Sequence, residues 1–230
     1  MKVYEMSVKV YNTKDIKFED SLYRISQVID KTLAKDNSFL QFHNKNEFKN
    51  YSFNSFYPLE KDKIYKAGNI YTFKVRTIDE KLLEYLKKNL ENAYTNYLKV
   101  LTVEVRIIPK KFISKIYSIT PLVIKTDKGY WKGKISLETF EKRIKENIIK
   151  KYNNFFNEKI KEDFSLYDFI KIDNKIPVSF KYKDISILGD KITLNITDDE
   201  KSQDIAYLAL GVGIGEMNSR GFGYVNFKSE

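Results

Sequence analysis

Twice along this chain, an alternating apolar run gives way to a helical stripe, two extended runs, a second helical stripe and a closing extended run. In the first pass, VYEMSVKVY sets Tyr4, Met6, Val8 and Val10 on one face of a strand. Leu22, Ile25, Ile29 and Leu33 recur at helical spacing and predict a helix from about Glu19 to Lys35. FLQFH and YSFNSFY read as two short β-like stretches, and IYTFKVRT as a further strand. Thr77 stands three residues before Glu80, a capping box, and opens a helix carrying Leu82, Leu86, Leu90, Ala93 and Tyr97. TVEVRII, with Val103, Val105 and Ile107, closes the pass before Pro109.

The second pass starts with IYSITPLVIKT, a strand around Pro121, and a turn region at Gly129 and Gly133. Ser136 can cap a helix carrying Leu137, Phe140, Ile144 and Ile148. Tyr152 to Asn174 reads as a short helix and loops. IPVSFKYKDISI and KITLNI read as a hairpin turning at Leu188-Gly189-Asp190-Lys191. DDEKSQDIAYLAL is the last helix, with Asp198 or Asp199 near its N-cap, and Phe222 to Phe227 the last strand. Each half therefore has the β-α-β-β-α-β order of a ferredoxin-like fold. The expected chain is α+β, with two domains, residues 1–109 and 110–230. The pattern repeats; the sequence does not.

Five of the nine glycines lie within Gly211 to Gly223, in GVGIGEMNSRGFG. A dinucleotide fingerprint must open a helix inside a βαβ unit, and position 216 is Glu216, so the segment is not one. No Gly-Lys-Ser/Thr occurs, which excludes a P-loop. Apolar residues sit inside each glycine pair, unlike a flexible Ser/Gly linker. The element order places the cluster between the last helix and the last strand. There it reads as a nest of backbone N–H groups for anionic oxygens, with Asn218 and Arg220 as side-chain donors.

With 42% hydrophobic and 15% aromatic residues the chain can bury a core. It has no cysteine, which removes disulfides and thiolate metal sites and fits a reducing cytoplasm. The start, MKVYEMSVKVY, lacks the apolar core of a signal peptide, and no run is long enough to span a membrane. Lys and Arg number 41 against 31 Asp and Glu, a net charge of +10. A basic domain with 17 Tyr and 16 Phe suits RNA, whose phosphates need cations and whose unstacked bases need aromatic faces.

The single histidine, His43, lies beside Lys45 and Lys49, with Tyr51 and Ser52 behind them. Metal-free RNA cleavage needs a base for the 2′-OH proton, an acid for the 5′-oxygen and a cation for the charged phosphorane. Histidine titrates near neutral pH and serves as acid or base, and lysine can stabilise developing charge.

These features together resemble the CRISPR-associated repeat-processing endoribonucleases, the Cas-six family of the RAMP superfamily. Gly213-Ile214-Gly215, five residues, then Gly221-Phe222-Gly223 matches that family's C-terminal G-h-G-x5-G-h-G motif. A lone His after the first helix, followed by Lys49 and YSFNSFYP, is the second likeness, and the tandem ferredoxin-like (RAMP/RRM-like) order is the third. The resemblance implies cleavage of precursor CRISPR RNA within each repeat, without metal or cofactor, leaving 2′,3′-cyclic phosphate and 5′-OH ends. It implies His43 as acid/base and Lys49 as charge stabiliser, with Tyr23 of the first helix or Tyr51 as further catalytic candidates. Lys45, Ser52, Gly213, Gly215, Asn218, Arg220, Gly221 and Gly223 are the implied RNA contacts. With one histidine, another group supplies the second proton transfer or geometry alone drives the attack. The alternative is a non-catalytic RAMP subunit that binds RNA in a CRISPR effector complex. Partners implied are repeat RNA, other effector-complex subunits and a second copy of the chain.

Overall fold

Alternation along Val3–Asn12 (β1) is realised as a buried strand, and Tyr4, Met6, Val8 and Val10 all enter one core. The structure, a computed structural model, describes residues 1–45, 47–127 and 129–229, with the side chains of residues 42–44 outside the description. A ribbon of β2 (Ile16–Lys17) and β4 (Ile64–Tyr65) borders the first sheet. That sheet joins β1, β3 (Tyr51–Phe53), β5 (Ile70–Thr77) and β6 (Leu98–Ile108), all antiparallel, in the order β3-β5-β1-β6. Helices α1 (Ser21–Leu33), α2 (Asn37–Asn44) and α3 (Glu80–Leu90) complete the first half. The second half contains β7 (Lys115–Ser118), α4 (Leu137–Phe156), β8 (Tyr167–Ile172), β9 (Val178–Tyr182), β10 (Ile185–Gly189), β11 (Ile192–Ile196), α5 (Glu200–Val212) and β12 (Val225–Lys228). Its main sheet runs β12-β7-β11-β8. Each main sheet thus places its fourth strand beside its first and its third beside its second. The fold is α+β and tandem ferredoxin-like.

Several local expectations are corrected. FLQFH belongs to helix α2, not to a strand. The Asp36 carboxylate accepts from the backbone N–H of Ser38 at 2.8 Å and of Phe39 at 3.2 Å, and this cap overrides the alternation. Phe39 then stacks on Tyr85 at 4.1 Å. The cap of α3 is Asp79, which accepts from Leu82 N–H at 3.1 Å, while Thr77 donates to the Asn50 carbonyl. Ala93 and Tyr97 lie beyond the end of α3. The hairpin closes at Lys183-Asp184 and pairs β9 with β10, whereas β11 pairs with β7 and β8. Gly189 is therefore no turn. A Cβ there would sit 2.5 Å from the Leu122 carbonyl oxygen. The stretch after Tyr152 is more regular than expected: α4 continues to Phe156, and Tyr167–Ile172 is the second strand of its sheet.

The two halves share apolar packing, with Val123, Phe180 and Phe222 entering the first core and Val3, Ile78 and Ile108 the second, and they are tied further by polar and backbone contacts. Glu5 of β1 is buried and holds Arg76 at 2.7 Å and Lys74 at 2.9 Å, with Arg106 at 2.7 Å. Arg76 in turn donates to the Val225 carbonyl at 2.7 Å and lies over the Tyr224 ring. The Tyr207 hydroxyl donates to Ile108 O at 2.6 Å and accepts from Val3 N–H at 3.1 Å. Burial alone would raise the Glu5 pKa. The Arg76 charge, with hydrogen bonds from Lys74 and Arg76, outweighs it and holds the carboxyl at about 2.

Glu5→Gln is expected to cost about 3–5 kcal/mol in urea unfolding near neutral pH, because Arg76 is left buried without its counter-ion. A depressed carboxylate pKa contributes stability above the unfolded value of 4.5, and that contribution is lost as pH falls towards about 2. The difference between wild type and Glu5→Gln should therefore narrow over that range. A difference independent of pH would contradict the pairing.

Candidate functional site

Helix α5 ends in the glycine cluster, so Gly211 is helical and the loop proper starts at Gly213. The loop folds back on itself through a short turn, Asn218–Arg220. Ile214 N–H donates to Gly223 O at 2.9 Å, and Gly223 N–H to Pro121 O at 2.8 Å. A Cβ on Gly223 would collide with the Ile214 carbonyl oxygen. On Gly221, where φ is +88°, it would lie 2.6 Å from Phe53 Cε2 and 2.8 Å from Leu22 Cδ2 of the first half. The glycines thus meet protein. The expected open nest is corrected accordingly: the N–H groups of residues 213, 214, 216, 220, 221, 222 and 223 donate to backbone carbonyls within the chain.

Beneath the loop lies Lys151 of α4, 4% exposed. Its Nζ donates to Gly213 O at 3.0 Å, Gly215 O at 2.7 Å and Asn218 Oδ1 at 2.6 Å. Asn218 Nδ2 donates onward to Ile214 O and Phe222 O, both at 2.9 Å. Three ammonium donors meet three acceptors, at a helix C-terminus where carbonyls collect. Burial pushes the Lys151 pKa down to about 7, opposed by the charge of Glu216. Sequence reading missed this residue. The signal was its place on the apolar stripe of Phe140, Ile144 and Ile148, where a lysine needs partners.

Facing the loop is the segment between α2 and β3. The two enclose a cleft of about 180 Å³ lined by Lys49, Tyr51, Lys125, Lys151, Asn218 and Ser219. Lys49 donates to the Lys45 carbonyl at 2.6 Å, and Lys45 caps the end of α2. Partial burial lowers the Lys49 pKa. Glu47 opposes this, and the charges of Arg220 and Lys45 reinforce it. His43 sits in the last turn of α2, and its side chain lies outside the described residues.

The other site candidates divide. Tyr51 forms part of the cleft but is buried, and burial raises the pKa of its hydroxyl, away from the range of proton transfer. Ser52 is fully buried and donates to the Gly211 carbonyl at 3.1 Å, so its expected RNA contact is corrected to a tie between the halves. Asn218 is corrected likewise, since both its side-chain atoms are engaged by the loop and Lys151. Arg220 pairs with Asp30 at 2.5 Å and lies over the Tyr182 ring. Tyr23 borders a separate groove of about 560 Å³ with Arg24, Tyr97, Tyr182, Lys183 and Arg220. The turn Asn218–Arg220 contributes to both cavities. Among the described residues no helix is long and apolar enough to cross a membrane.

The family model for CRISPR associated protein Cas6, C-terminal, matches residues 104–227, more than half of the chain. This chain belongs to the Cas6 family. A protein of Methanocaldococcus jannaschii named CRISPR-associated endoribonuclease Cas6 2 is 24% identical over 213 residues, 85% of this chain and 87% of its own. A solved CRISPR associated protein Cas6 superposes with a TM-score of 0.73 at 20% identity, over 99% of this chain and 100% of the other. A RAMP protein binding different RNA substrates superposes with a TM-score of 0.74 at 17% identity, over 98% and 100%. The Cas6 fold therefore extends over essentially the whole chain, and the glycine loop and the Lys49 segment both lie within it.

Gly68 and Gly221 share a left-handed backbone, with φ of +82° and +88°, but a Cβ on Gly68 meets nothing within 4 Å. Gly68→Ala therefore measures backbone strain alone. Gly221→Ala is expected to lose about 1–3 kcal/mol more in urea unfolding, from overpacking against Phe53 and Leu22. Equal losses would mean that the Cas6 loop does not dock on the first half.

Proposed function

We propose that this chain is an endoribonuclease that binds CRISPR repeat RNA and cuts precursor CRISPR RNA within the repeats, in the cleft between Lys49 and the glycine loop. One observation carries the reading. The fold brings residues 47–51, which follow the helix turn bearing His43, against the family's glycine loop around a cleft containing three lysines. A metal-free cut needs that concentration of positive charge, since the phosphorane adds negative charge to the phosphate. The 2′-OH adjacent to the scissile phosphate gives up its proton to a base, its oxygen bonds to phosphorus, and the bond to the 5′-oxygen breaks. The leaving oxygen takes a proton from an acid. The products are a 2′,3′-cyclic phosphate and a 5′-OH.

His43 is the proton-transferring group in this scheme, because imidazole is the side-chain type whose ordinary pKa lies near neutrality. Lys49 stands beside the phosphorane. Its lowered pKa also brings it closer to exchanging a proton with the leaving oxygen, the function that a single histidine leaves open. The names of the Methanocaldococcus jannaschii relatives, both CRISPR-associated endoribonucleases, support the reaction class. The net charge of +10 supports a polyanionic substrate.

His43→Ala should slow single-turnover cleavage of the host's repeat RNA by ~10²–10⁴. Lys49→Ala should slow it by ~10²–10³. Repeat affinity should stay within a few fold for His43→Ala. Wild-type rates in both variants would overturn the assignment of this cleft. A wild-type protein that binds repeat RNA tightly and never cuts it would establish the non-catalytic reading instead.

A further inference from the structure

The Lys151 ammonium is the only side-chain charge that bonds both Gly213 and Gly215 among the described contacts, and it reaches them from a helix 62 to 64 residues earlier. Through Asn218 it also reaches the second glycine pair, since Asn218 Nδ2 holds Ile214 O and Phe222 O. Removing the charge would therefore release both arms of the loop together. Lys151 also lines the cleft that Lys49 borders. Its three donors are all spent on the chain, so it has none left for a ligand. Whatever it does for the reaction, it does through the loop.

We infer that Lys151 is a positioning residue for RNA cleavage: its ammonium locks the glycine loop in the shape that forms one wall of the reacting cleft. The inference rests on the cleft as proposed above. A compact, point-like cation with three donors fits three oxygens converging from one side, which a planar guanidinium does not. Glu216, beside Gly215, stays engaged with Arg143 at 3.0 Å, so the carbonyls and Asn218 are the acceptors for Lys151. The loop is packed from outside by Phe53 and Leu22 and pinned from inside by this ammonium.

The test uses the full chain and repeat RNA carrying a 2′-deoxy nucleotide at the cut for affinity, or unmodified RNA for rate. Lys151→Met keeps the aliphatic stem and removes the donors. Its single-turnover rate is expected to fall on the order of 10²-fold, the effect of a wall misplaced by about 1 Å. Repeat affinity should change by no more than about threefold, since Lys151 touches no RNA. Lys151→Ala should regain rate in ethylammonium, which can enter the vacated part of the cleft, and not in tetramethylammonium, which has charge but no donor. If Lys151→Met does not fold, Asn218→Asp decides, because it keeps the acceptor facing Lys151 and loses the donors to Ile214 and Phe222. It should show the same loss of rate with affinity retained. A wild-type rate in the folded variant, with Lys49→Ala impaired, would overturn the positioning role and leave the cleft standing. A wild-type rate in Lys49→Ala as well would remove the cleft and the inference together.

Discussion

Close approach of a glycine-bearing backbone to the side chains of the first half is the constraint on which this structure depends. Helix α5 and the loop after it lie against β1, β3 and β5 of the first half, and at Gly211 a Cβ would come within 2.6 Å of Ile78 Cγ2. At Gly221 the same atom would press into Phe53 and Leu22. The polar ties can form only at that separation: Ser52 to Gly211 O, Tyr207 to Ile108 O, and Arg76 to Val225 O. The cleft between Lys49 and the loop is a consequence. Its two walls come from different halves, and their spacing is set by residues that carry no side chain.

Two buried charges organise the parts that meet between the halves. Glu5 gathers Arg76, Lys74 and Arg106 on the first sheet and, through Arg76, the last strand of the second. Lys151 gathers the glycine loop. Each is costly to bury alone: Glu5 is satisfied by its neighbours on the first sheet, and Lys151 by the glycine loop. Apolar contacts alone would tolerate sliding, whereas bonds to oxygen acceptors at 2.6–3.0 Å do not.

What could be read from the residues beforehand was what periodicity carries. The stripe Leu22, Ile25, Ile29, Leu33 and the alternation of Tyr4, Met6, Val8 and Val10 are local, and local patterns give local elements. Twice over, their order gave the fold. The hairpin was misplaced because Gly189-Asp190 looks more like a turn than Lys183-Asp184, yet Gly189 is needed for its approach to Leu122. FLQFH was misread because one carboxylate, Asp36, outweighs alternation over a few residues. At the site, His43, Lys49 and the glycine motif were legible as residue types. The roles of Ser52 and Asn218 were not, since each has a partner far away in the chain, 159 residues for Ser52 and 67 for Asn218. Lys151 was hidden for the same reason, its partners being 62 to 67 residues on.

The central claim is that RNA is cut where the Lys49 segment faces the glycine loop. The most direct measurement places 4-thiouridine next to the cut in the host's repeat RNA, crosslinks it to His43→Ala protein, and maps the crosslinked peptides by mass spectrometry. The account predicts crosslinks within residues 45–51 and 215–219. Crosslinks confined to the outer faces of α3 and α4, with none in either segment, would contradict it.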